Sequence, residues 1–384
     1  MKFNVNAETF AKTLVKVSSI IEKKSIAEAF KHLVINVENN HVKIYAVNYN
    51  IGKLTVKLDA YNILGEGRIV FSYEEIKSFK KLKGCLAISA SDSDDTFTII
   101  SDVGKRLVLK NNAELYDEDC FSLFDYSGKR VLAFEQSDDI LINTFNKLSV
   151  FLSKEKFTDS LRSHMLKYIN FNAKKNRFES TDSFRLIVKD ISDWNINADS
   201  DSFLIGGNAT SILAKLQNKR EVKDIKVFES KKCIEFECED YLFQTRKVEM
   251  VYPDLDHIIN GSEEVCSAMV DSEKLNNILQ FNIEITKSES KPTTFYLKDN
   301  ELYAETKTSA KVSTDYNFSF NLENISDDFR TGYNPLYLLD SIKIADCDEI
   351  KLSFTEPTTR LRTRNLIIEN NGYKMILLPI KENK

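Results

Sequence analysis

Apolar residues recur at helical spacing near the start of the chain and twice more, at intervals of about 130 residues. Between Phe10 and Ile21 they are separated by four, three and four positions, so they share one face of an α-helix. The same spacing returns between Leu141 and Leu152, and a weaker copy begins at Leu275. The pattern predicts one amphipathic helix in each of three repeats.

A shorter helix is predicted about 65 residues after each of these helices. Ser72 and Glu75 have the spacing of a capping box, in which each side chain binds a free backbone N–H of the first turn. The second short helix is expected to be capped by Asn208. The third has Asn334 as its cap and Pro335 at the first helical position, where a missing N–H costs nothing.

Between and after the helices, apolar and polar residues alternate with a period of two, which predicts strands with one buried face. Alternating segments occur at 86–90, 225–227 and 350–354, and a hairpin is predicted after each one. The hairpins join 96–100 to 107–109, 233–238 to 241–245, and 360–368 to 373–378. The chain is therefore predicted to be an α+β protein. Its three similar domains are expected at 1–130, 131–261 and 262–384.

The composition excludes several classes of protein. The 384 residues carry 53 lysines and arginines against 58 aspartates and glutamates, so the net charge of −5 argues against coating nucleic acid through bulk positive charge. No apolar run approaches the roughly 20 residues needed to cross a bilayer, and we expect neither a membrane span nor a secretion signal. Six scattered cysteines and four histidines show no zinc-ligand spacing, so no metal or other cofactor is expected.

Positive charge is nevertheless sorted locally, because lysines recur on the polar faces of the predicted helices. Such stripes are typical of solvated helix faces. If the helices shared one surface, however, that surface would bind a phosphate backbone without sequence preference. The lysines concerned are Lys12, Lys16, Lys23, Lys24, Lys77, Lys80, Lys81, Lys147, Lys154, Lys215 and Lys219.

Four segments resemble, in order, signatures of the bacterial sliding clamp family, the β subunit of DNA polymerase III. They are MKFNVNAETFAKTLVKVSSIIEKK at 1–24, FESTDSFRLIVKD at 178–190, VYPDLDHIIN at 251–260 and YKMILLPIKENK at 373–384. Each segment alone is a weak signal. The ordered set, together with the threefold repeat, is specific and spans essentially the whole chain.

This resemblance implies an architecture and a function. Three similar clamp domains per chain, with helices lining the inside and antiparallel sheets outside, would form a head-to-tail homodimeric ring of six pseudo-equivalent domains. The ring would encircle double-stranded DNA and act as a non-catalytic processivity factor. Its implied partners are the DNA polymerase III catalytic subunit, the clamp loader, and repair and other proteins carrying short clamp-binding peptides. The implied location is the cytoplasm, in association with the nucleoid, with no membrane partner.

The resemblance also implies two contact sites. The family's peptide pocket corresponds here to Met165, Thr181, Ser183, Phe184, Arg185, Leu186, Pro253, His257, Ile258, Ile376, Leu377, Leu378, Pro379 and Ile380. The dimer interface corresponds to Leu107 and Leu109 in the first domain and to Phe281 and Ile285 in the third. Phe184 stands where the family has a histidine-type residue, and His257 stands where arginine is frequent. The sequence therefore leaves undetermined which peptide motif the pocket prefers.

Two other functions fit parts of the sequence. One is an enzyme in which Asp182, Asp254 and Asp256 do acid–base work or hold a divalent cation, although all three also suit turns. The other is a divergent clamp paralogue that acts as a decoy or regulatory platform. Basic residues usual in the second repeat are missing at Gly207 and Asn208, which motivates this alternative.

Overall fold

The computed structural model describes residues 1–91, 95–154, 164–261, 264–286, 291–298, 301–307, 313–318, 329–356 and 364–380. The chain divides into two compact units. Unit 1 comprises Met1–Asn146 and Trp194–Glu249, and unit 2 comprises Lys147–Asp193 and Met250–Lys384. The predicted domain boundaries near residues 130 and 261 stay a prediction.

The helices and strands alternate along the whole chain. Within the described ranges the α-helices are α1 (Ala7–Ser18), α2 (Ile76–Phe79), α3 (Glu118–Phe121), α4 (Asp138–Ser149), α5 (Gly207–Leu216), α6 (Asp256–Asn260), α7 (Ser272–Ile285) and α8 (Pro335–Ala345). The strands of the first half are β1 (Lys2–Asn6), β2 (His32–Glu38), β3 (His41–Asn48), β4 (Gly52–Leu58), β5 (Ala60–Leu64), β6 (Gly67–Ser72), β7 (Cys85–Ala90), β8 (Thr96–Ser101), β9 (Arg106–Lys110), β10 (Arg130–Ser137), β11 (Tyr168–Asn172), β12 (Arg177–Thr181) and β13 (Arg185–Asp190). Those of the second half are β14 (Ser202–Gly206), β15 (Asp224–Ser230), β16 (Cys233–Glu237), β17 (Tyr241–Arg246), β18 (Glu264–Asp271), β19 (Thr293–Lys298), β20 (Glu301–Lys307), β21 (Ser313–Phe318), β22 (Arg330–Tyr333), β23 (Glu349–Thr355), β24 (Leu366–Asn370) and β25 (Tyr373–Leu377).

Unit 1 is built on two antiparallel sheets. One has the strand order β5-β1-β7-β8-β9, and the other has the order β10-β15-β16-β17-β4-β3-β2-β6. Helix α1 packs its predicted apolar face into the core, where Phe10, Leu14 and Val17 are fully buried. The ring of Phe10 lies 5.7 Å from that of Phe79 in α2, which ties the two helices together.

Unit 2 repeats this design. Strands β11, β12, β13, β25, β24, β23 and β18 follow one another in one antiparallel sheet, and β21-β20-β19-β22 form another. Helices α7 and α8 pack against each other. The rings of Phe295, Tyr333 and Phe354 are buried in the core of unit 2 and lie within 6.4 Å of one another. The predicted α+β class with antiparallel sheets is confirmed.

The start of α8 matches the sequence prediction. Asn334 accepts a bond from the Leu336 N–H at 2.9 Å and Pro335 opens α8, as expected. Asp271 caps α7 through the Lys274 N–H. The prediction of Asn208 as a cap was wrong, because α5 already begins at Gly207 and Gly206 is its cap.

The predicted Ser72–Glu75 capping box is only partly formed. The Ser72 hydroxyl accepts from the Glu74 N–H at 3.3 Å, and a 3₁₀ turn over Tyr73–Glu75 precedes α2. The tighter turn shifts the free N–H groups by one residue relative to an α-helix. The prediction of a third hairpin strand from 360 is confirmed from Leu366 onward, and 360–363 lie outside the described residues. No helix in the described part of the chain is long and apolar enough to cross a membrane.

Candidate peptide-binding cavity and lysine-bearing helices

An apolar patch lies on one face of the main sheet of unit 2, where β13 pairs with β25. Leu186 lies opposite Ile376 in this pairing, so both side chains project to the same face. The buried cluster consists of Leu186, Val188, Ile367 and Ile376, with Ile258 and Ile259 of α6 packed against it. The linker before β18 thus covers part of the patch.

A comparable face in unit 1 is closed by the chain itself. Phe121 and Phe124 are buried there in an apolar cluster. At the β4–β17 pairing, Lys53 lies opposite Gln244; Lys53 binds Asp125, and the Gln244 amide donates to the Phe124 carbonyl at 3.1 Å. The corresponding pairing in unit 2 joins two aliphatic residues, which cannot hold a covering segment by hydrogen bonds.

A cavity of about 140 Å³ opens beside the patch in unit 2. Nine of the fourteen predicted pocket residues line it: Thr181, Ser183, Arg185, Leu186, Pro253, His257, Ile258, Ile376 and Leu378. Leu166, Asp254 and Leu255 also line it and were not among those predicted. Leu166 follows the predicted Met165, and Asp254 and Leu255 lie between the predicted Pro253 and His257 in the VYPDLDHIIN segment.

The turn between β12 and β13 forms the polar rim of the cavity. Ser183 adopts a φ of +77°, which is rare for a residue with a side chain. The carboxylate of Asp182 accepts from the backbone N–H groups of Phe184 and Arg185 at 3.0 and 3.1 Å. The Thr181 hydroxyl donates to the Arg185 carbonyl at 2.7 Å. These bonds fix the tight turn and aim its residues at the cavity.

Arg185 lines the cavity, yet its guanidinium is hydrogen-bonded to other groups of the protein. It donates to Asp182 at 3.0 Å, to Asp340 at 2.8 Å and to the Val150 carbonyl at 2.8 Å. The guanidinium also stacks on the rings of Phe151 and Tyr337, at 4.5 and 4.1 Å. Burying a charge is tolerable only with such pairing, so Arg185 acts as a fixed brace between β13 and α8.

The remaining five predicted residues lie off the cavity lining. Leu377 is buried on the opposite face of β25, because alternate residues of a strand point to opposite faces. The Ile380 N–H donates to the Gly332 carbonyl at 2.7 Å, and Pro379 precedes it. Phe184 is 58% exposed, with its ring 6.5 Å from Tyr337. Met165 is half-buried.

The predicted DNA-facing lysines fall into two groups. Four make contacts with other residues: Lys12 pairs with Glu8 at 2.6 Å, Lys16 pairs with Asp240 at 2.5 Å, Lys23 lies 4.9 Å from the Tyr73 ring, and Lys147 donates to the Ile344 carbonyl at 3.0 Å. The others are exposed: Lys24, Lys77, Lys80, Lys81, Lys154, Lys215 and Lys219. Lys16 is only 23% exposed, so it is mainly a structural cation of unit 1.

Comparison with known proteins decides which fold this is. The β subunit of DNA polymerase III from Pseudomonas aeruginosa matches with a TM-score of 0.83 over 100% of both chains, at 13% identity. The sliding clamp of Bacillus subtilis matches with a TM-score of 0.79 over 100% of both chains, at 15% identity. The chain has the fold of the bacterial β sliding clamps.

Sequence comparison agrees with the clamp fold. The β sliding clamp of Rickettsia felis is 21% identical over 405 residues, covering 99% of this chain and 100% of the relative. That of Lactococcus lactis is 20% identical over 400 residues and covers both chains fully. A clamp from Bartonella birtlesii, solved bound to griselimycin, has a TM-score of 0.81 and 17% identity over the full length of both chains. No protein-family model matches the chain. The predicted resemblance to the clamp family is confirmed.

Of the four predicted dimer-interface residues, one is exposed and three are half-buried on this clamp fold. Leu107 and Leu109 are half-buried on β9, which ends the strand order of its sheet. Phe281 is 49% exposed on α7, and Ile285 is half-buried at the end of the same helix.

The three carboxylates considered for an enzyme have other partners in the clamp fold. Asp182 binds Arg185 and its own turn. Asp256 binds Lys175 and Arg177, and Asp254 accepts from the Asp256 N–H at 3.1 Å. No group of three metal-ligating residues occurs in the described ranges. Each of these aspartates is thus engaged in a local bond.

Proposed function

We propose that this protein is a DNA sliding clamp: a non-catalytic homodimeric ring that encircles duplex DNA and tethers a polymerase to it. The observation that carries the proposal is the full-length match to solved clamps, joined to an open apolar cavity at the β13–β25 junction. Such a protein would act in the cytoplasm on chromosomal DNA. None of the relatives' names favours the decoy alternative.

The strand pairings suggest how the ring closes. At two junctions within the chain, the last strand of one three-strand meander pairs antiparallel with the last strand of another: β4 with β17, and β13 with β25. Two further meanders end in β9 and β21, and each of these strands lies at the end of its sheet's order. Exposed edges are templates for strand pairing. Pairing β9 of one copy with β21 of the other, twice, gives a closed head-to-tail dimer.

The exposed lysines support a DNA-facing surface. Cations on helix faces release counterions from phosphates and bind without reading bases. Topological enclosure makes tight binding unnecessary, so a chain with a net charge of −5 can still be retained on DNA. The acidic remainder of the surface would discourage adhesion elsewhere.

The cavity supports docking of short peptides from the polymerase, the clamp loader and repair proteins. Its aliphatic lining suits apolar anchor side chains, and the fixed polar rim at Thr181 and Ser183 can orient a peptide backbone. Griselimycin, which the Bartonella relative binds, is a ready probe of this proposal.

A primer-extension assay tests the function. With the cognate clamp loader and polymerase, addition of the purified protein should convert short products into long ones at low enzyme concentration. A decoy paralogue would bind the polymerase yet leave product length unchanged or shorten it. Griselimycin titration, followed by calorimetry, tests the cavity independently of synthesis.

A further inference from the structure

The outer wall of the cavity is formed by the short helix α6, which carries His257 and Ile258 into the lining. A five-residue helix has little stability of its own, so its position depends on its attachments. One attachment is apolar: Ile258 and Ile259 pack against the cluster on β13, β24 and β25. The other attachment is ionic and lies at the start of the helix.

The ionic attachment joins Asp256 to two cations on the neighbouring hairpin. Its carboxylate accepts from Arg177 Nη2 at 2.6 Å and from Lys175 Nζ at 2.5 Å. Asp254 lies 3.6 Å from the same lysine. The bonds to Lys175, and then to Arg177, hold the pKa of Asp256 below its usual range, so the carboxylate stays ionised near neutral pH.

The cations are held in place from the strand side. Arg177 is 14% exposed and also donates through Nε to Glu179 at 2.5 Å, while Glu179 is only 3% exposed. The backbone N–H of Lys175 donates to the Asn172 side chain at 3.1 Å, which fixes the turn. The receptor for Asp256 is therefore pre-organised on β12 and the turn before it.

We propose that Asp256 is a positioning residue of the cavity: its pairing with Lys175 and Arg177 holds α6 where His257 and Ile258 complete the lining. The binding consequence rests on the proposed peptide-docking function. The structural consequence, the mobility of α6, does not.

The test compares Asp256→Asn with Asp256→Glu, which keeps the charge. The matched control is Asp199→Asn, the same substitution made at the Lys129–Asp199 pair of 3.4 Å in unit 1. Griselimycin affinity is measured by calorimetry. In parallel, hydrogen exchange is followed at the Ile258 and Ile259 amides, which donate to the Leu255 carbonyl at 3.0 and 2.9 Å.

We expect Asp256→Asn to weaken griselimycin binding about fivefold to tenfold, because the apparent affinity falls in proportion to the fraction of molecules in which α6 completes the cavity wall. The same variant should speed exchange at both amides by a similar factor. Asp256→Glu and Asp199→Asn should stay within about twofold of the unchanged protein. Raising the salt concentration should weaken binding by the unchanged protein and have little effect on Asp256→Asn, because only the unchanged protein has the Asp256 pairs to screen.

Two results would overturn the inference. One is exchange at Ile258 and Ile259 that is unaltered in Asp256→Asn. The other is unaltered griselimycin affinity in that variant, given that the unchanged protein binds. If the unchanged protein fails to bind griselimycin, the proposed use of the cavity is in doubt, and the exchange measurement still decides whether Asp256 positions α6. Equal loss of affinity with Asp256→Glu would mean that shape rather than charge holds the helix.

Discussion

Replacing Arg185 with alanine should destabilise unit 2 far more than an ordinary surface change. The guanidinium is 3% exposed and makes hydrogen bonds to Asp182, Asp340 and the Val150 carbonyl. Removing one partner of a buried ion pair typically costs about 3–5 kcal/mol. Asp182 keeps two backbone donors and Asp340 is 31% exposed, so the lower end, about 3 kcal/mol, is expected.

Hydrogen exchange on the β13 amides measures this loss locally. The chain's one tryptophan, Trp194, lies in unit 1 against Phe134, so its fluorescence reports the other unit as an internal control. Arg220→Ala, at an exposed site in unit 1, is the matched substitution and should change the free energy of unfolding by less than about 0.5 kcal/mol. A loss below about 1 kcal/mol for Arg185→Ala would refute the brace assigned to Arg185.

Three further predictions follow from other parts of the fold. Changing Lys77, Lys80 and Lys81 together to glutamate should weaken DNA association. It should also make the slope of log K against log salt shallower by about 3, since each lost phosphate contact contributes about 0.9. An unchanged slope would mean that α2 and the residues after it do not contact DNA. Leu109→Asp on β9 should convert the dimer to monomer, as measured by sedimentation velocity at micromolar concentration. Thr98→Asp on the neighbouring inner strand β8 should leave the dimer intact. If Leu109→Asp forms a dimer as stable as that of the unchanged protein, the interface lies elsewhere. Although burial alone would raise it, the ion pair with Lys16 holds the pKa of Asp240 below its ordinary 3.8. The pair's contribution to the free energy of unfolding should therefore be constant from pH 8 to about 5 and be lost as the pH falls through the pKa of Asp240 in the folded protein. Asp240→Asn should remove that acid-dependent loss, and an unaltered acid profile in this variant would contradict the pairing.

Much of the fold is predictable from local sequence because its elements have clear periodicities. The spacing of Phe10, Leu14 and Val17 predicted α1, although the helix ends at Ser18, before the predicted Ile21. Alternation predicted β7, β15 and β23. Asn334 and Pro335 marked the start of α8 because their capping chemistry involves neighbouring residues only. Where a cap failed, at Asn208, glycines at 206 and 207 allowed an earlier start.

The candidate site was harder to predict because its geometry depends on distant residues. The resemblance to clamps supplied nine lining residues, but strand alternation separates Leu377 from its neighbours Ile376 and Leu378, which a linear segment conceals. The Arg177–Asp256 bond joins residues 79 positions apart, and Lys16–Asp240 joins residues 224 apart. Neither pairing has a local sequence signal.

Retention on circular DNA tests the central claim most directly. The protein is loaded onto nicked circular duplex by the cognate clamp loader with ATP, and DNA-bound protein is separated by gel filtration before and after a single restriction cut. A ring that encircles DNA should stay bound to the circle at high salt and slide off within minutes once the DNA is linear. Equal loss from circular and linear DNA, or equal retention on both, would contradict topological enclosure.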